Sequence, residues 1–287
     1  MDKIHTIAIS GASGLIGSRL TTHFQSKKWE VITIVRKDFA GSTEVLAQKL
    51  SQADILINLA GAPVIKRWTE KYKKEIYNSR ILTTRKLVEA IKLSTSKPSL
   101  FISASAVGVY DQEHLHDEHS THFAGDFLSK VCLNWEAEAE KASQVSRLAI
   151  IRLGIVLARE GGALKTMLPP FKLGIGGKIA NGKQPFAWIH IDDVVNAIEF
   201  IITNNKTTGL YNLAAPGLIN NRQFTVALGK ALKRPTWFTV PAFALRLLYG
   251  EAAVTLTGGQ KVVPLRLEKA GYKHQFPEIG NALEDLI

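Results

Sequence analysis

Between an apolar run, Ile4 to Ile9, and an amphipathic stretch stands Gly11-Ala12-Ser13-Gly14-Leu15-Ile16-Gly17, and no other segment restricts the fold of this chain as much. A strand that turns directly into a helix through three glycines permits a tight bend and close approach of backbone N–H groups to a pyrophosphate. It also permits close helix-to-sheet packing, and the helix N-terminus adds positive partial charge. A second apolar run, Val31 to Val35, follows after a helix-sized interval and completes a βαβ unit. The expected fold is therefore α/β: a doubly wound parallel Rossmann sheet with a smaller C-terminal substrate-side lobe, binding a dinucleotide.

The end of the second strand selects the dinucleotide. An acidic side chain there accepts hydrogen bonds from a ribose 2′-hydroxyl, whereas a basic one suits the 2′-phosphate of NADP. The chain offers Val35-Arg36-Lys37. The planar Arg36 guanidinium can grip phosphate with two parallel hydrogen bonds and stack on adenine, and Ser13 in the glycine loop can donate its hydroxyl to the same group. Asp38, two residues on, would serve a ribose instead if the strand ended later. NADP(H) is the expected cofactor.

At 287 residues with 46% hydrophobic and 21% charged, the chain can bury one large α/β core and a smaller lobe. We expect residues 1–160 to form the NADP-binding domain, with a return to it near 185–215, and residues 161–287 to supply most of the substrate-side lobe. No signal peptide or membrane-length apolar run is read, and the single cysteine, Cys132, excludes an internal disulfide. A cytoplasmic protein is expected. The net charge of +11 is densest from Lys66 to Lys86, on an expected helix with a solvated face. No nucleic-acid recognition module accompanies that charge, so neither nucleic acid nor membrane is an expected partner.

Apolar runs and helical periods alternate along the chain. Strands are expected at Ile4 to Ser10, Glu30 to Arg36, Asp54 to Leu59, Ser99 to Ser103 and Arg147 to Leu153. Helices are expected near Leu15 to Gln25, Thr43 to Gln52, Glu70 to Leu93 and Phe127 to Ser143. Between Arg36 and Asp54 there is room for one helix but little for the third strand of a dinucleotide fold, which is expected to be abbreviated or missing. Leu168-Pro169-Pro170-Phe171 reads as a rigid lead-in to a glycine-rich substrate-side loop, Gly174 to Gly182. Tail helices are expected at Pro241 to Tyr249 and Leu265 to Gly271. No metal-ligand cluster, nucleophile-elbow sequence or internal repeat is read.

The spacing G-x-x-G-x-x-G resembles that of extended short-chain dehydrogenase/reductases, in which a turn like Asn58-Leu59-Ala60-Gly61 runs past the adenosine ribose and pyrophosphate. Further motifs follow in order: Arg67-Trp68-Thr69-Glu70, Ser79-Arg80, Asn134-Trp135-Glu136, Leu168 to Phe171, Gly174 to Gly177, Trp188 to Asp193 and Gly258 to Pro264. Together they resemble the epimerase-family branch of atypical short-chain dehydrogenase/reductases over nearly the whole chain. From about Thr236 the tail is similar to the small domain of uncharacterised function that accompanies this branch. The resemblance implies cofactor contacts from Gly11, Ser13, Gly14, Leu15, Ile16 and Gly17, from Val35 and Arg36, from Leu59 and Ala60, and from Glu75, Arg80 and Val156. A buried Arg80 needs an anionic partner, either Glu75 or the cofactor phosphates.

Ordinary members of the family use Tyr-x-x-x-Lys on a helix and an upstream serine. Ser105 fits the serine and Lys130 the lysine, but Asp126 stands four residues before Lys130 and no tyrosine lies on that helix. Tyr110, five residues after Ser105, is the substitute, as a proton-transfer group or as a pocket wall. His190, between two isoleucines, reads as a hydrogen-bonded structural residue, and Asp192 and Asp193 as helix N-terminal acids. The expected function is that of an NADP(H)-dependent oxidoreductase or nucleotide-sugar epimerase-like enzyme with an atypical active site, acting on a carbonyl compound or nucleotide sugar. The alternative is a catalytically silent NADP(H)-dependent sensor or scaffold. A monomer or weak homodimer is expected.

Overall fold

The computed structural model describes residues 5–287; Ile4, which opens the first expected strand, lies outside them. The glycine segment joins β1 (Thr6–Ser10) to α1 (Leu15–Ser26), and β2 (Glu30–Ile34) follows. Two short helices, α2 (Arg36–Ala40) and α3 (Thr43–Leu50), then lead to β3 (Ile55–Asn58). No strand lies between β2 and β3, so the abbreviated third strand is absent altogether. β2 therefore becomes the sheet edge, which its largely accessible residues reflect.

The 24-residue α4 (Glu70–Leu93) is capped by Thr69, whose hydroxyl accepts the Tyr72 N–H. Then come β4 (Leu100–Ala106), the short β5 (Leu115–His116), α5 (Phe127–Glu140), β6 (Arg147–Leu153), β7 (Ile155–Leu157) and α6 (Gly162–Lys172). Pro169 and Pro170 lie inside the last turns of α6, a correction to the expected lead-in: the helix begins seven residues earlier and carries through them. Next in the chain are β8 (Gly177–Ile179), β9 (Trp188–His190), α7 (Ile191–Thr203), β10 (Gly209–Leu213) and α8 (Asn221–Leu232). β11 (Phe238–Val240), α9 (Ala242–Tyr249), α10 (Val254–Thr257), β12 (Lys261–Val262), α11 (Leu265–Lys269) and α12 (Ile279–Leu286) complete it.

Six parallel strands form the central sheet in the order β10-β6-β4-β3-β1-β2. Alternate residues of each strand feed opposite faces. Ile7, Ile9, Ile57 and Ile102 pack with Leu20 and Phe24 of α1 and with Val194, Ile198 and Ile201 of α7. Ala8, Leu56, Phe101 and Ile150 pack with residues of α3, α4 and α5. A separate apolar cluster joins Leu164, Phe171, Phe224 and Leu283, holding α6, α8 and α12 together beside the sheet.

The tail returns to the sheet domain through polar contacts. Asp193 in the first turn of α7 is buried and accepts the Tyr272 hydroxyl (2.9 Å) and the N–H groups of Gln275 (2.7 Å) and Phe276 (2.9 Å). His190 caps the same helix, its Nδ1 accepting the Asp192 N–H at 3.1 Å. The order reverses between β2 and β3, on either side of β1, which sets the binding crevice at the carboxyl ends of these strands.

Candidate active site

A cleft of about 550 Å³ opens there, lined by Gly11, Gly14, Leu15, Ile16 and Gly17, by Leu59 and Arg80, and by Ser105 and Val156. Leu128, Cys132 and Trp135 of α5 and Gly258 to Gln260 of the tail also face it. The glycines are there for want of space. Gly11 has φ +80°, and a Cβ on it would stand 2.9 Å from the Leu59 carbonyl; one on Gly17 would stand 2.2 Å from the Gly11 oxygen. Gly14 caps α1 without a side chain, and the first turn carries no acid, so the opening N–H groups of the helix are left for an anion.

Arg80 adds a charge to this end. Its Nη atoms donate to the carbonyls of Ile76 (3.1 Å) and Ala62 (3.0 Å), and its guanidinium lies over the Trp135 ring at 5.3 Å. Burial lowers its pKa, and no carboxylate pairs with it among the described residues. Glu75, the expected partner, is exposed on α4 instead. A largely desolvated guanidinium with carbonyls but no acid lacks an anion. Asn58 shapes the adjoining loop: its Nδ2 donates to Thr84 Oγ1 (2.8 Å), and its Oδ1 accepts the Ala60 N–H (3.3 Å).

At the rim, β1 and β2 run in register from Thr6↔Glu30 to Ser10↔Ile34, so Val35 and Arg36 leave the sheet beside the glycine loop. Neither lines the cleft itself, nor do Ser13 and Ala60. Val35 is the N-cap of α2, and Arg36 and Ser13 are exposed. Asp38 does not compete for a ribose: one of its oxygens takes the Val35 N–H at 2.7 Å and Lys49 Nζ at 2.8 Å. Burial works against its charge, but Lys49 and that N–H lower its pKa net.

The other end of the cleft departs from expectation. Lys130 is exposed on α5 and absent from the cleft wall; Asp126 is the N-cap of that helix, accepting the Ser129 N–H at 2.8 Å. Tyr110 is fully buried and also off the wall. Its hydroxyl meets Arg152 Nη1 (2.7 Å), Asn212 Oδ1 (3.0 Å) and the Asp117 carbonyl (3.0 Å), and its ring stacks on His116. Neither Tyr110 nor Lys130 reaches the reacting space, because the helix turns one away and the sheet face absorbs the other. No tyrosine, lysine or histidine lines the cleft among the described residues.

Ser105 instead meets an unexpected partner. Its Oγ donates to Glu136 Oε1 at 2.5 Å, and Arg152 grips the same carboxylate with Nε (2.8 Å) and Nη2 (2.6 Å). Sheet register explains the gathering: Ser105 pairs with Arg152 across β4 and β6, and Arg152 with Asn212 across β6 and β10, so the three stand side by side on the face covered by α5. Burial opposes the Arg152 charge, yet Glu136 and then Tyr110 raise its pKa net. Cys132, one helical turn before Glu136, also touches Ser105; burial pushes its thiol up to about 11, so it is no thiolate at neutral pH. In the sequence Glu136 is marked by the Asn134-Trp135-Glu136 motif, which does not tell its contact with Ser105.

The model of the NAD dependent epimerase/dehydratase family matches residues 7–214, and that of a domain of unknown function, DUF1731, matches residues 240–286. The mouse epimerase family protein SDR39U1 is 36% identical over 98% of this chain and 99% of its own. The chloroplastic SDR39U1 homolog of Arabidopsis thaliana is also 36% identical, over 98% of this chain and 86% of its own. The crystal structure of human SDR39U1 with NADPH superposes with TM-score 0.92 at 34% identity, covering 98% of both chains. That of a nucleoside-diphosphate sugar epimerase from Corynebacterium glutamicum has TM-score 0.77 and 31% identity, covering 98% of this chain and 57% of the other. No helix among the described residues is long and apolar enough to cross a membrane.

Proposed function

The chain belongs to the NAD dependent epimerase/dehydratase family, and from that membership we propose that it binds NADPH and moves hydride to or from a carbonyl or alcohol carbon of a small substrate. The observation that carries the reading is that the glycine cradle, Arg80 and Ser105 open into one cleft. The cradle fits a dinucleotide on three counts: glycines whose Cβ atoms would collide, an uncapped helix N-terminus and a cation without an acid. The NADPH bound by human SDR39U1 supports the same choice.

In this reading the N–H groups opening α1 and the Arg80 guanidinium hold the pyrophosphate. Arg36, which no carboxylate engages among the described residues, takes the 2′-phosphate with Ser13. When bound, the cofactor supplies or accepts hydride. Ser105 handles the substrate oxygen. Its own proton is committed to Glu136, so its lone pairs are offered to the cleft and accept a hydrogen bond from a substrate hydroxyl. As hydride leaves the alcohol carbon, the hydroxyl proton passes to Ser105 Oγ and the serine proton passes to Glu136 Oε1; reduction runs the same path backwards. Arg152 fixes the carboxylate with its two-nitrogen fork.

Among the described residues no tyrosine or lysine stands on the cleft wall, which favours a second reading, a protein that senses NADPH without turnover. Isothermal titration with NADPH and NADH, followed by NADPH fluorescence against a panel of carbonyl compounds and nucleotide sugars, separates the two. Preference for NADPH with turnover that Ser105→Ala abolishes is expected. Binding without turnover across the panel favours the sensor, and no binding of either nucleotide overturns both.

A further inference from the structure

Four of the eight histidines fall at positions 114, 116, 119 and 122, on the connection between β4 and α5. Its two arms run antiparallel: Tyr110 bridges to Phe123, the Asp111 N–H donates to the His122 carbonyl (3.1 Å), and the Ala124 N–H donates to the Val109 carbonyl (3.0 Å). Asp111 and His114 on one arm thus face His122 on the other. The His114 and His122 rings stack with centroids 4.1 Å apart and planes 16° from parallel. One ligand atom from each of Asp111, His114 and His122 lies within 4.8 Å of the other two.

The carboxylate of this trio is held in advance. Its Oδ1 accepts the N–H groups of Glu113 (3.0 Å) and His114 (3.0 Å) and lies 3.1 Å from Nε2 of His116. His116 is itself buried, its Nδ1 tied to Ser120 Oγ at 2.8 Å. Oδ2 is left turned toward His114 Nδ1, 2.7 Å away. Outer groups that fix one oxygen and aim the other are what a metal-ligating carboxylate requires.

We propose that Asp111, His114 and His122 bind a divalent transition-metal ion of the Zn²⁺ class on the connection between β4 and α5, a site beyond the cofactor reading and independent of it. Two imidazoles and one carboxylate suit Zn²⁺, Ni²⁺ or Cu²⁺, not the oxygen shells of Mg²⁺ and Ca²⁺. Ligand distances of about 2.0–2.2 Å require the three atoms to close by roughly 1 Å, which the exposed rings of His114 and His122 achieve by side-chain rotation. The proposal departs from the expectation of no metal-ligand cluster, since the trio converges only when the two arms pair. A second juxtaposition, His190, Asp192 and Asp285, differs because Arg19 already pairs with Asp192 at 2.5 Å. No lysine or arginine pairs with Asp111 among the described residues; the side chains beside its carboxylate are the imidazoles of His114 and His116.

An ion here cross-links the two arms of a segment whose Gln112 lines the cleft and packs against Gly258 of the tail. The test is isothermal titration of the untagged full chain with ZnCl₂ and, separately, MgCl₂. One Zn²⁺ per chain and no saturable Mg²⁺ binding are expected. His114→Ala and His122→Ala should each weaken Zn²⁺ by about tenfold or more, while His119→Ala, on the same segment but outside the trio, should bind as the parent does. All three residues are exposed, so the substitutions leave the core intact. No saturable Zn²⁺ binding, a His114→Ala/His122→Ala double variant that binds as tightly as the parent, or equal loss in His119→Ala overturns the proposal.

Discussion

The two ends of the cleft are built on different principles. The glycine end is made of backbone: Gly11 to Gly14 form a turn and Leu15 to Gly17 open α1, leaving N–H groups and empty space. The Ser105 end is made of side chains from β4, α5, β6 and β10, each fixing the next. The first can be read from a short stretch of sequence because its parts are neighbours in the chain. The second assembles only through sheet register and helix packing. A backbone site tolerates side-chain change and fails on adding a Cβ; a side-chain network fails when any charged member is removed.

The largest effect should come from the network. Arg152→Met leaves Glu136 buried without its counter-charge and should cost about 3–5 kcal/mol, read by urea unfolding. Adding Glu136→Leu should recover more than roughly half of that loss, because the uncompensated charge goes too. No recovery would mean that the carboxylate does not depend on Arg152.

Next comes the cradle. Gly17→Ala must push its Cβ away from the Gly11 oxygen, 2.2 Å from the ideal position, and should cost about 1–3 kcal/mol. NADPH affinity should fall with it by about tenfold or more, checked by titration calorimetry. Unchanged affinity would remove the glycine turn from the cofactor site.

Arg36→Asp sharpens the contrast, because this exposed rim residue stands off the cleft wall. Its substitution should weaken NADPH by about 1–3 kcal/mol and NADH by much less. Equal loss for both nucleotides would show that the 2′-phosphate is read elsewhere.

The smallest effect concerns Asp38, whose pKa is lowered in the fold. A carboxylate of this kind contributes stability above its unfolded pKa of about 3.9, and the contribution is lost as pH falls through that value toward the folded one. Asp38→Asn should therefore cost under about 1 kcal/mol at pH 7 and flatten the acid limb of stability below about pH 4. An unaltered acid limb would show that the pairing with Lys49 is not made in solution.

The sequence by itself determined five of the six strands of the sheet and their alternation with helices; the edge strand β10 is not among the strands it marks. Strand β6 and helix α4 lie where periodicity sets them, Arg147–Leu153 and Glu70–Leu93, and the missing third strand follows from chain length alone. The short helix Arg36–Ala40 has no periodic apolar pattern to mark it: it spans five residues, with Asp38 in its first turn accepting the Val35 N–H. Ser105 was legible from its motif.

Only the tertiary structure decided what Ser105 touches. The choice of Glu136 over Lys130 depends on which face α5 turns to the sheet, and that of Arg152 on the register of β4 with β6. The fate of Tyr110, withdrawn into a stack with His116, depends on β10 bringing Asn212 beneath it. A glycine turn is a local property, since its geometry is closed within a few bonds. A buried polar network is not, because each member is stabilised by partners that reach it only once the sheet has formed.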